Sequence, residues 1–434
     1  MHFDLAGEAP RAATWFARAA EQALEGNDSD AVIARATRAL SLGATGELRG
    51  HALHARALAT RWRNDCASAF DDALAALNEF ALGSAMWFSA IFQACILGDV
   101  VGRRDVVDQL VEVALATEPE DARGRALRIR IMGEAASSRH HAGDHAGGDA
   151  FARRVELEGA PLMDDPVVAL TVHRMRANFA DLSDDPYGEV QHWHAIGELY
   201  ARAGDRRGCA VAGINIGYGL MMLGAYERAE SALREGIRMA EQLRLARAVA
   251  AGQHNLGLVL AHRGDFEAAI REETAALEAM AAAHDDRLSV MSRVYLAMIL
   301  EMAGDLEGAE TVVRQALPEV ANLPPVAPRA FAVLARILLR RGELHEAEQL
   351  MARAAEVMRV ARIEGGDVYP RLALAETLLA AGRVEEGTDA LRGARRAVER
   401  AAACIADDAA RAAFLACVPE NARTLALAKD HGIE

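Results

Sequence analysis

The chain has 434 residues, of which 52% are hydrophobic and 26% are charged, so it can bury a large core. Its net charge of -15 disfavours nucleic acid and anionic membranes as partners, because the long-range field repels phosphate groups. Prolines (11) and aromatic residues (5%) are scarce, and the alanine- and leucine-rich remainder favours helices over strands. The five cysteines are odd in number and widely spaced, which predicts reduced, buried thiols in the cytoplasm and neither a disulfide framework nor a zinc site.

The first 203 residues have helical periodicity and only a weak repeat. The apolar spacing predicts five helix pairs, at 9–24 with 28–41, 47–62 with 65–79, 84–99 with 103–117, 121–139 with 144–158, and 165–181 with 186–202. Gly7, Ala12, Phe16 and Ala19 instead match the turn and second helix of the stronger repeat that follows, so the pairing before Gly204 stays open. A first helix to match them would begin before residue 1, and we infer that the array was cut from a longer protein.

Two groups of histidines in this half are candidate metal ligands. Residues 139–149 form a predicted glycine- and histidine-rich loop, in which a solvated loop is favoured over metal binding; its candidate ligands are His140, His141, His145, Asp144 and Asp149. His51 and His54 share a helical face, where a solvent-facing or core-edge pair is favoured over chelation. We therefore predict no metal and no cofactor.

A strong repeat begins at Gly204. Its turn glycines are spaced by 40, 40, 38 and 40 residues, and a small residue stands seven positions before each of them. The turn glycines are Gly224, Gly264, Gly304, Gly342 and Gly382; the small residues are Gly217, Gly257, Ala297, Ala335 and Ala375. Leucine follows three positions after each small residue, and alanine follows most of the turns. A fixed period of this length predicts stacked helix pairs, with glycine closing one helix and Asp265, Asp305 or Glu343 capping the next.

This register resembles a tetratricopeptide repeat (TPR) array of the longer variety, with about 40 residues per unit. The resemblance implies an all-α, right-handed α-solenoid of about ten helix pairs. Its predicted parts are degenerate repeats over 1–203, well-matched repeats over 204–403 and a C-terminal capping element over 404–434. The aromatic residue expected early in the first helix is replaced by Gly213, Gln253, Arg293 and Arg371.

Both ends of the chain add to the resemblance. The segment HFDLAGEAPRAATWFARAAEQAL at the start and VPENARTLALA near the end resemble the helical-repeat tails of large bacterial signalling proteins, which follow a kinase or NTPase module. Residues 407–434 break the period and predict a short helix, a kink at Pro419 and a final helix that covers the last apolar face.

Gly208–Tyr226 contains 19 residues without a charge, which is long enough for a membrane span. Five glycines and Asn215 weaken that interpretation, and Ile216, Gly217 and Leu220 lie in the repeat register. We predict that it is the best-buried helix of the solenoid.

The resemblance implies that the first helix of each pair lines a concave groove. The predicted partner-binding residues are Asn215, Tyr218, Met222, His254, Asn255, Leu258, His262, Met291, Tyr295, Met298, Arg336 and Arg340. The Asn215 and Asn255 amides can hold a peptide backbone, or cap and bridge helices within the repeat. The methionines offer adaptable contacts or fill the core. Arg336 and Arg340 can meet a carboxylate on a ligand or form intramolecular ion pairs.

No nucleotide-binding loop, zinc-protease motif, nucleophile elbow or kinase signature occurs in the sequence. We therefore predict that the protein is not an enzyme and acts as a scaffold or sensor that binds a protein or peptide segment. The alternative is a regulatory domain that binds a short peptide or small molecule and controls an attached kinase or NTPase module. Self-association stays open.

Overall fold

The computed structural model describes residues 7–63, 65–183, 185–282, 286–320, 323–360, 366 and 368–433. These residues form 22 α-helices and one short 3-10 helix at Ala160–Leu162, and no strand occurs among them. Most helices pack against the next helix in the chain, which confirms the all-α prediction. None of the described helices combines the length and hydropathy that a membrane crossing requires.

The chain divides into two compact units, the first ending at Met175 and the second beginning at Arg176. The first unit contains α1 (Ala9–Glu25), α2 (Ser29–Ser41), α3 (Gly46–Trp62), α4 (Cys66–Leu77), α5 (Ala85–Val100), α6 (Arg104–Ala116), α7 (Ala122–His141) and α8 (His145–Gly159). The boundary lies within α9 (Pro166–Leu182).

Helix α5 lies at the centre of the first unit. It is apolar on every side, and Phe88, Ile91 and Leu97 are fully buried because α4, α6 and α7 all pack against it. Gly98 allows α6 to approach, since a Cβ atom there would lie 2.5 Å from Val107 Cγ2. Burial also raises the pKa of the Cys95 thiol, so this cysteine is a small apolar core residue.

The prediction of a loop over residues 139–149 was wrong. Helix α7 continues to His141, whose side chain lies outside the described residues, and α8 begins at His145. His140 is buried, with Nε2 3.0 Å from Asp149 Oδ1 and Nδ1 3.2 Å from His145 Nδ1. No group of three or more His, Cys, Asp or Glu side chains within the described residues is placed to hold a metal ion.

His51 and His54 have separate surroundings. His51 Nδ1 lies 2.8 Å from Glu21 Oε1, at the edge of the unit. His54 is only 8% exposed; its Nε2 lies 3.1 Å from Ser89 Oγ, and its Nδ1 has no hydrogen-bond partner among the described residues. Burial, with a smaller contribution from His51, lowers the pKa of His54 to about 4.

The second unit contains the regular repeats. Its helices are α10 (Pro186–Arg202), α11 (Arg206–Met222), α12 (Tyr226–Gln242), α13 (Ala246–His262), α14 (Phe266–Ala282), α15 (Asp286–Ala303), α16 (Leu306–Val320), α17 (Ala327–Arg341), α18 (Leu344–Val360), α19 (Val368–Ala380), α20 (Val384–Cys404), α21 (Asp408–Cys417) and α22 (Pro419–Asp430). The odd-numbered helices from α11 to α19 are the first helices of the predicted repeats.

The small residue of each repeat lies where the two helices of a pair approach most closely. Ala297, Ala335 and Ala375 are fully buried. At Gly217 a Cβ atom would lie 2.5 Å from Leu233 Cγ, so α11 and α12 can pack this closely only without a side chain.

The turns between the paired helices have the predicted geometry. Gly264 has a φ of 86° and Gly304 a φ of 91°, a left-handed conformation that favours glycine. Asp265 Oδ1 then accepts a hydrogen bond from the Ala268 amide, and Asp305 Oδ1 accepts one from the Gly308 amide. One tight turn therefore closes the first helix and caps the second.

Helix α11 is largely buried, but the prediction that it is the best-buried helix was wrong. Almost every side chain of α17 from Ala327 to Leu338 is buried. The reason is that α15, α16, α18 and α19 all pack against α17.

The C-terminal helices cap the last repeat as predicted, and they also contact the first of the regular repeats. Leu427 and Ala428 of α22 pack on Leu372 and Leu391 of the last repeat. The junction of α21 and α22 reaches the first repeat, where the Tyr226 hydroxyl donates to the Cys417 carbonyl across 3.3 Å. In addition, α20 contacts α10, so the ends of the second unit meet.

Two alanine substitutions on α11 test the close approach of the helices. Gly217→Ala should lower the free energy of unfolding by about 1–3 kcal/mol, because Leu233 must move. Gly213→Ala is the matched control: its Cβ would lie 3.6 Å from the nearest atom, so the gain in helix propensity should stabilise by up to about 1 kcal/mol. Urea unfolding monitored by circular dichroism measures both. Equal effects of the two substitutions would contradict this packing.

The lowered pKa of His54 predicts acid sensitivity of the first unit. Between the ordinary histidine pKa of about 6.5 and the folded value of about 4, the unfolded chain binds the proton more tightly. Stability should therefore fall as pH falls through this window, by at most about 3 kcal/mol. Urea midpoints from pH 7 to pH 4 should show a shallower decline for His54→Gln, whereas His51→Gln should retain most of the decline because burial is the larger cause of the shift. An unchanged decline in His54→Gln would refute the assignment.

Candidate functional site

The second unit contains a cavity of about 250 Å³. Its walls come from the first helices of successive repeats, from the start of α12 and from the start of α22. The lining residues are Met221, Met222, Tyr226, Leu258, His262, Tyr295, Met298, Glu301, Met302, Arg329, Arg336, Tyr369, Glu376, Val418, Pro419, Glu420 and Arg423. We call this space the groove cavity.

The repeat register explains why these side chains converge. Arg329 and Tyr369 lie six positions before the small residues Ala335 and Ala375. Because equivalent positions of stacked repeats lie side by side, the first helices present a row of side chains to the same space. The register that buries the small residues therefore also selects the lining of the cavity.

Two arginines and a tyrosine form the polar part of the cavity. The Cζ atoms of Arg329 and Arg336 lie 5.7 Å and 5.3 Å from the centre of the Tyr369 ring, within range of a cation–π interaction. Glu301 lies 3.7 Å from Arg336 and 3.5 Å from Arg340, and the Arg340 guanidinium donates to the Glu301 carbonyl. Arg329 is only 5% exposed, so a full positive charge is held in a largely dry environment.

The Tyr369 hydroxyl lacks a hydrogen-bond partner among the described residues, although Tyr369 is only 6% exposed. Burial raises the pKa of this phenol well above its ordinary value, so the hydroxyl keeps its proton and can donate a hydrogen bond. A buried polar group without a partner costs about 1–3 kcal/mol. A ligand atom that accepts this hydrogen bond would recover that energy.

The other end of the cavity is aromatic and apolar. The rings of Tyr226 and His262 stack with centres 4.7 Å apart and planes 17° apart. Burial lowers the pKa of His262, with Glu420 opposing the shift, so the imidazole is neutral at neutral pH. Met222 and Met298 complete an adaptable wall.

Six predicted partner-binding residues line the groove cavity: Met222, Leu258, His262, Tyr295, Met298 and Arg336. Arg340 lines a neighbouring space together with Arg336 and Glu301. The Tyr218 hydroxyl lies 3.5 Å from Asp181, and Met291 is buried in the core.

The two predicted asparagines do not line the cavity. The Asn215 amide donates to the Val211 carbonyl of its own helix at 2.8 Å, so that donor is engaged within the repeat. Asn255 is half-buried. Their role toward a peptide backbone stays a prediction.

His254 belongs to a buried polar cluster behind the cavity wall. Its Nδ1 lies 2.7 Å from Glu273 Oε1 and 3.2 Å from Ser292 Oγ, and its ring stacks on Tyr295 with centres 4.1 Å apart. Burial raises the pKa of the Glu273 carboxyl. His254 therefore positions Tyr295, which does line the cavity.

The sequence prediction missed three groups of lining residues. Tyr369 and Glu376 occupy groove positions of the fifth repeat, and Glu301 occupies one of the third. Tyr369 and Glu376 lie six positions before and one position after the small residue of their repeat, and Glu301 lies four positions after its own, so a fixed set of positions applied to every repeat would have found them. The segment from Val418 to Arg423 left no periodic signal, because its position depends on contacts with distant repeats.

No family model and no curated protein matches this sequence. Solved structures do share its architecture. A Rap protein in complex with competence and sporulation factor aligns with a TM-score of 0.58 at 11% identity, over 80% of this chain and 99% of that chain. The present chain has the tetratricopeptide-repeat fold.

A second similar structure is a Signal Transduction ATPase with Numerous Domains (STAND) protein with a tetratricopeptide repeat sensor, from Pyrococcus horikoshii. It aligns with a TM-score of 0.51 at 13% identity over 87% of this chain. This chain spans 55% of the length of that protein. The resemblance to the repeat tail of a signalling ATPase is therefore supported at the level of fold.

The unsatisfied hydroxyl predicts an unusual stability effect. Tyr369→Phe should raise the free energy of unfolding by about 1 kcal/mol, because it removes a buried hydroxyl that has no partner among the residues the structure describes. Tyr226→Phe is the matched control and should lower stability by about 1 kcal/mol, since it removes the hydrogen bond to Cys417. Urea midpoints of the full chain measure both, and a destabilised Tyr369→Phe would show that the hydroxyl already has a partner.

Proposed function

We propose that the second unit binds a protein or peptide segment in its groove and that the protein acts as a non-enzymatic scaffold or sensor in the cytoplasm. The observation that carries the proposal is the Tyr369 hydroxyl, which has no hydrogen-bond partner among the described residues and lies in the groove cavity beside two arginines. Stability alone disfavours such an arrangement, whereas a ligand with an acceptor group makes use of it. Similarity to a Rap protein in complex with competence and sporulation factor supports the same proposal.

The chemistry of the cavity favours a peptide over nucleic acid. Methionine and aromatic side chains at one end accept apolar groups, while arginine, glutamate and tyrosine at the other accept polar ones. Three glutamates in the lining oppose a phosphate backbone, as does the net charge of -15. A short amphipathic segment matches both ends.

An alternative proposal is a regulatory domain that binds a short peptide or small molecule and controls an attached kinase or NTPase module. Similarity to the STAND protein with a repeat sensor supports it. A reading frame that encodes such a module upstream of Met1 would favour this alternative, and a free-standing gene would favour the scaffold.

Affinity capture with groove variants tests the proposal. The full chain, Tyr369→Phe and Arg336→Gln are immobilised in parallel, and captured proteins are quantified by mass spectrometry. The captured amount of each true partner should fall about tenfold with both variants, because a hydrogen bond to a charged group is worth about 1.5–3 kcal/mol. Circular dichroism confirms that each variant is folded.

Arg238→Gln is the control for this experiment. Arg238 lies exposed on α12, a second helix of a pair, and forms an ion pair with Glu235 of the same helix. This substitution should leave capture unchanged. If the folded groove variants retain every protein that the original chain captures, the groove is not the binding site.

A further inference from the structure

One wall of the groove cavity comes from a segment outside the regular repeats. Val418, Pro419, Glu420 and Arg423 line the cavity together with the first helices of the repeats. Val418 is buried, and Gly224 is packed so closely beneath the segment that a Cβ atom there would lie 3.0 Å from Cys417 Cβ. The start of α22 therefore lies against the same repeat side chains that a partner in the cavity would contact.

Specific polar contacts fix this segment. The Cys417 carbonyl accepts from the Tyr226 hydroxyl, and Arg423 Nε donates to Glu376 Oε1 at 2.9 Å. Asn421 is only 2% exposed, and its side-chain amide donates to the Phe414 carbonyl at 3.0 Å, which shapes the bend between α21 and α22. The segment thus combines an apolar residue, a bend and a helix start.

Glu420 differs from the other two glutamates of the cavity. Glu301 lies close to Arg336 and Arg340, and Glu376 binds Arg423. Glu420 has no hydrogen bond or ion pair with the described residues. Its charge nevertheless interacts electrostatically with Arg329 and Arg336. The carboxylate lies within the field of the arginines without a direct contact.

We propose that residues Val418–Arg423 are an internal ligand of the groove, and that a partner segment of matching chemistry takes their place. This inference rests on the function proposed above. The partner segment carries an apolar residue where Val418 lies and a carboxylate two positions later, where Glu420 lies. Unlike Glu420, the partner's carboxylate approaches Arg336 and accepts the Tyr369 hydroxyl.

The internal segment Val418–Arg423 competes with a partner segment for the same groove side chains. An attached segment has a millimolar effective concentration, so it reduces the apparent affinity for any partner. Leu427 and Ala428 anchor the later part of α22 on the last repeat, independently of the groove. Weakening the start of α22 should therefore open the cavity without removing the cap.

The test uses a fluorescent synthetic peptide with the sequence of residues 418–430, VPENARTLALAKD, and measures its binding to the full chain by polarisation. Glu420→Lys places a positive charge beside the arginines and should raise the peptide affinity at least tenfold over the original chain. Asp430→Lys is the control, since it makes the same charge change at the exposed end of α22 and should have no effect. Glu420→Gln is a milder second variant and should give a smaller gain in peptide affinity. It replaces Glu420→Lys if that variant misfolds.

A double-mutant cycle separates groove recognition from helix stability. A peptide with glutamine in place of the glutamate should bind the Glu420→Lys chain about tenfold more weakly. With Arg336→Gln added to that chain, this preference should fall to about twofold or less, because the carboxylate has lost its arginine. A dipole effect at the helix start would leave the preference unchanged.

Three outcomes would overturn the inference: equal peptide affinity for the original, Glu420→Lys and Asp430→Lys chains; equal binding of the glutamate and glutamine peptides; or an original chain that dimerises by exchanging α22, seen by light scattering. Each leaves groove-dependent binding in the affinity-capture experiment intact. Loss of groove dependence in that experiment would instead remove the proposed function itself.

Discussion

The structure of the second unit depends on how closely the two helices of each repeat can approach. Gly217 meets Leu233 at a distance that leaves no room for a methyl group, and the fully buried Ala297, Ala335 and Ala375 take the same position in later repeats. Larger residues would separate the helices and expose the leucines that fill the contact. Because the position recurs with the repeat, it also fixes the rotation of each first helix and determines which side chains face the groove.

This fixed rotation explains how a helical array with no catalytic motif obtains a chemically specific cavity. Arg329 and Tyr369 occupy one register position in neighbouring repeats, so their approach follows from stacking alone. A single repeat could hold neither a buried guanidinium nor an unpartnered hydroxyl, since each requires walls from its neighbours. The cavity is a property of the array, and the C-terminal segment closes it only because the ends of the unit meet.

Most of the fold could be predicted from local sequence signals. Turn glycines, capping aspartates and the small-residue register act within about 40 residues, so one sequence was enough to predict the helix pairs and six of the seventeen residues that line the groove cavity. Two predicted groove residues have tertiary or backbone contacts that the repeat register does not reveal. His254 Nδ1 lies close to Glu273 on the next helix, and the Asn215 amide donates to the backbone of its own helix. The position of the segment Val418–Arg423 depends on contacts such as that between Tyr226 and Cys417, 191 positions apart, which a repeat pattern in the sequence does not reveal.

In a chain with a net charge of -15, the proposed recognition of a partner carboxylate must act at short range. At physiological salt the Debye length is about 8 Å, so most surface carboxylates are screened from the cavity, whereas Arg329 and Arg336 act within a partly dry space where screening is weak. The long-range field therefore slows the approach of an acidic segment, and the local field holds it once it has entered. Added salt should weaken the long-range repulsion more than the local attraction inside the cavity. A groove of the proposed kind would select partners by fit and by the position of one carboxylate, whereas the segment Val418–Arg423, which already lines the cavity, avoids the long-range repulsion that an external segment must overcome.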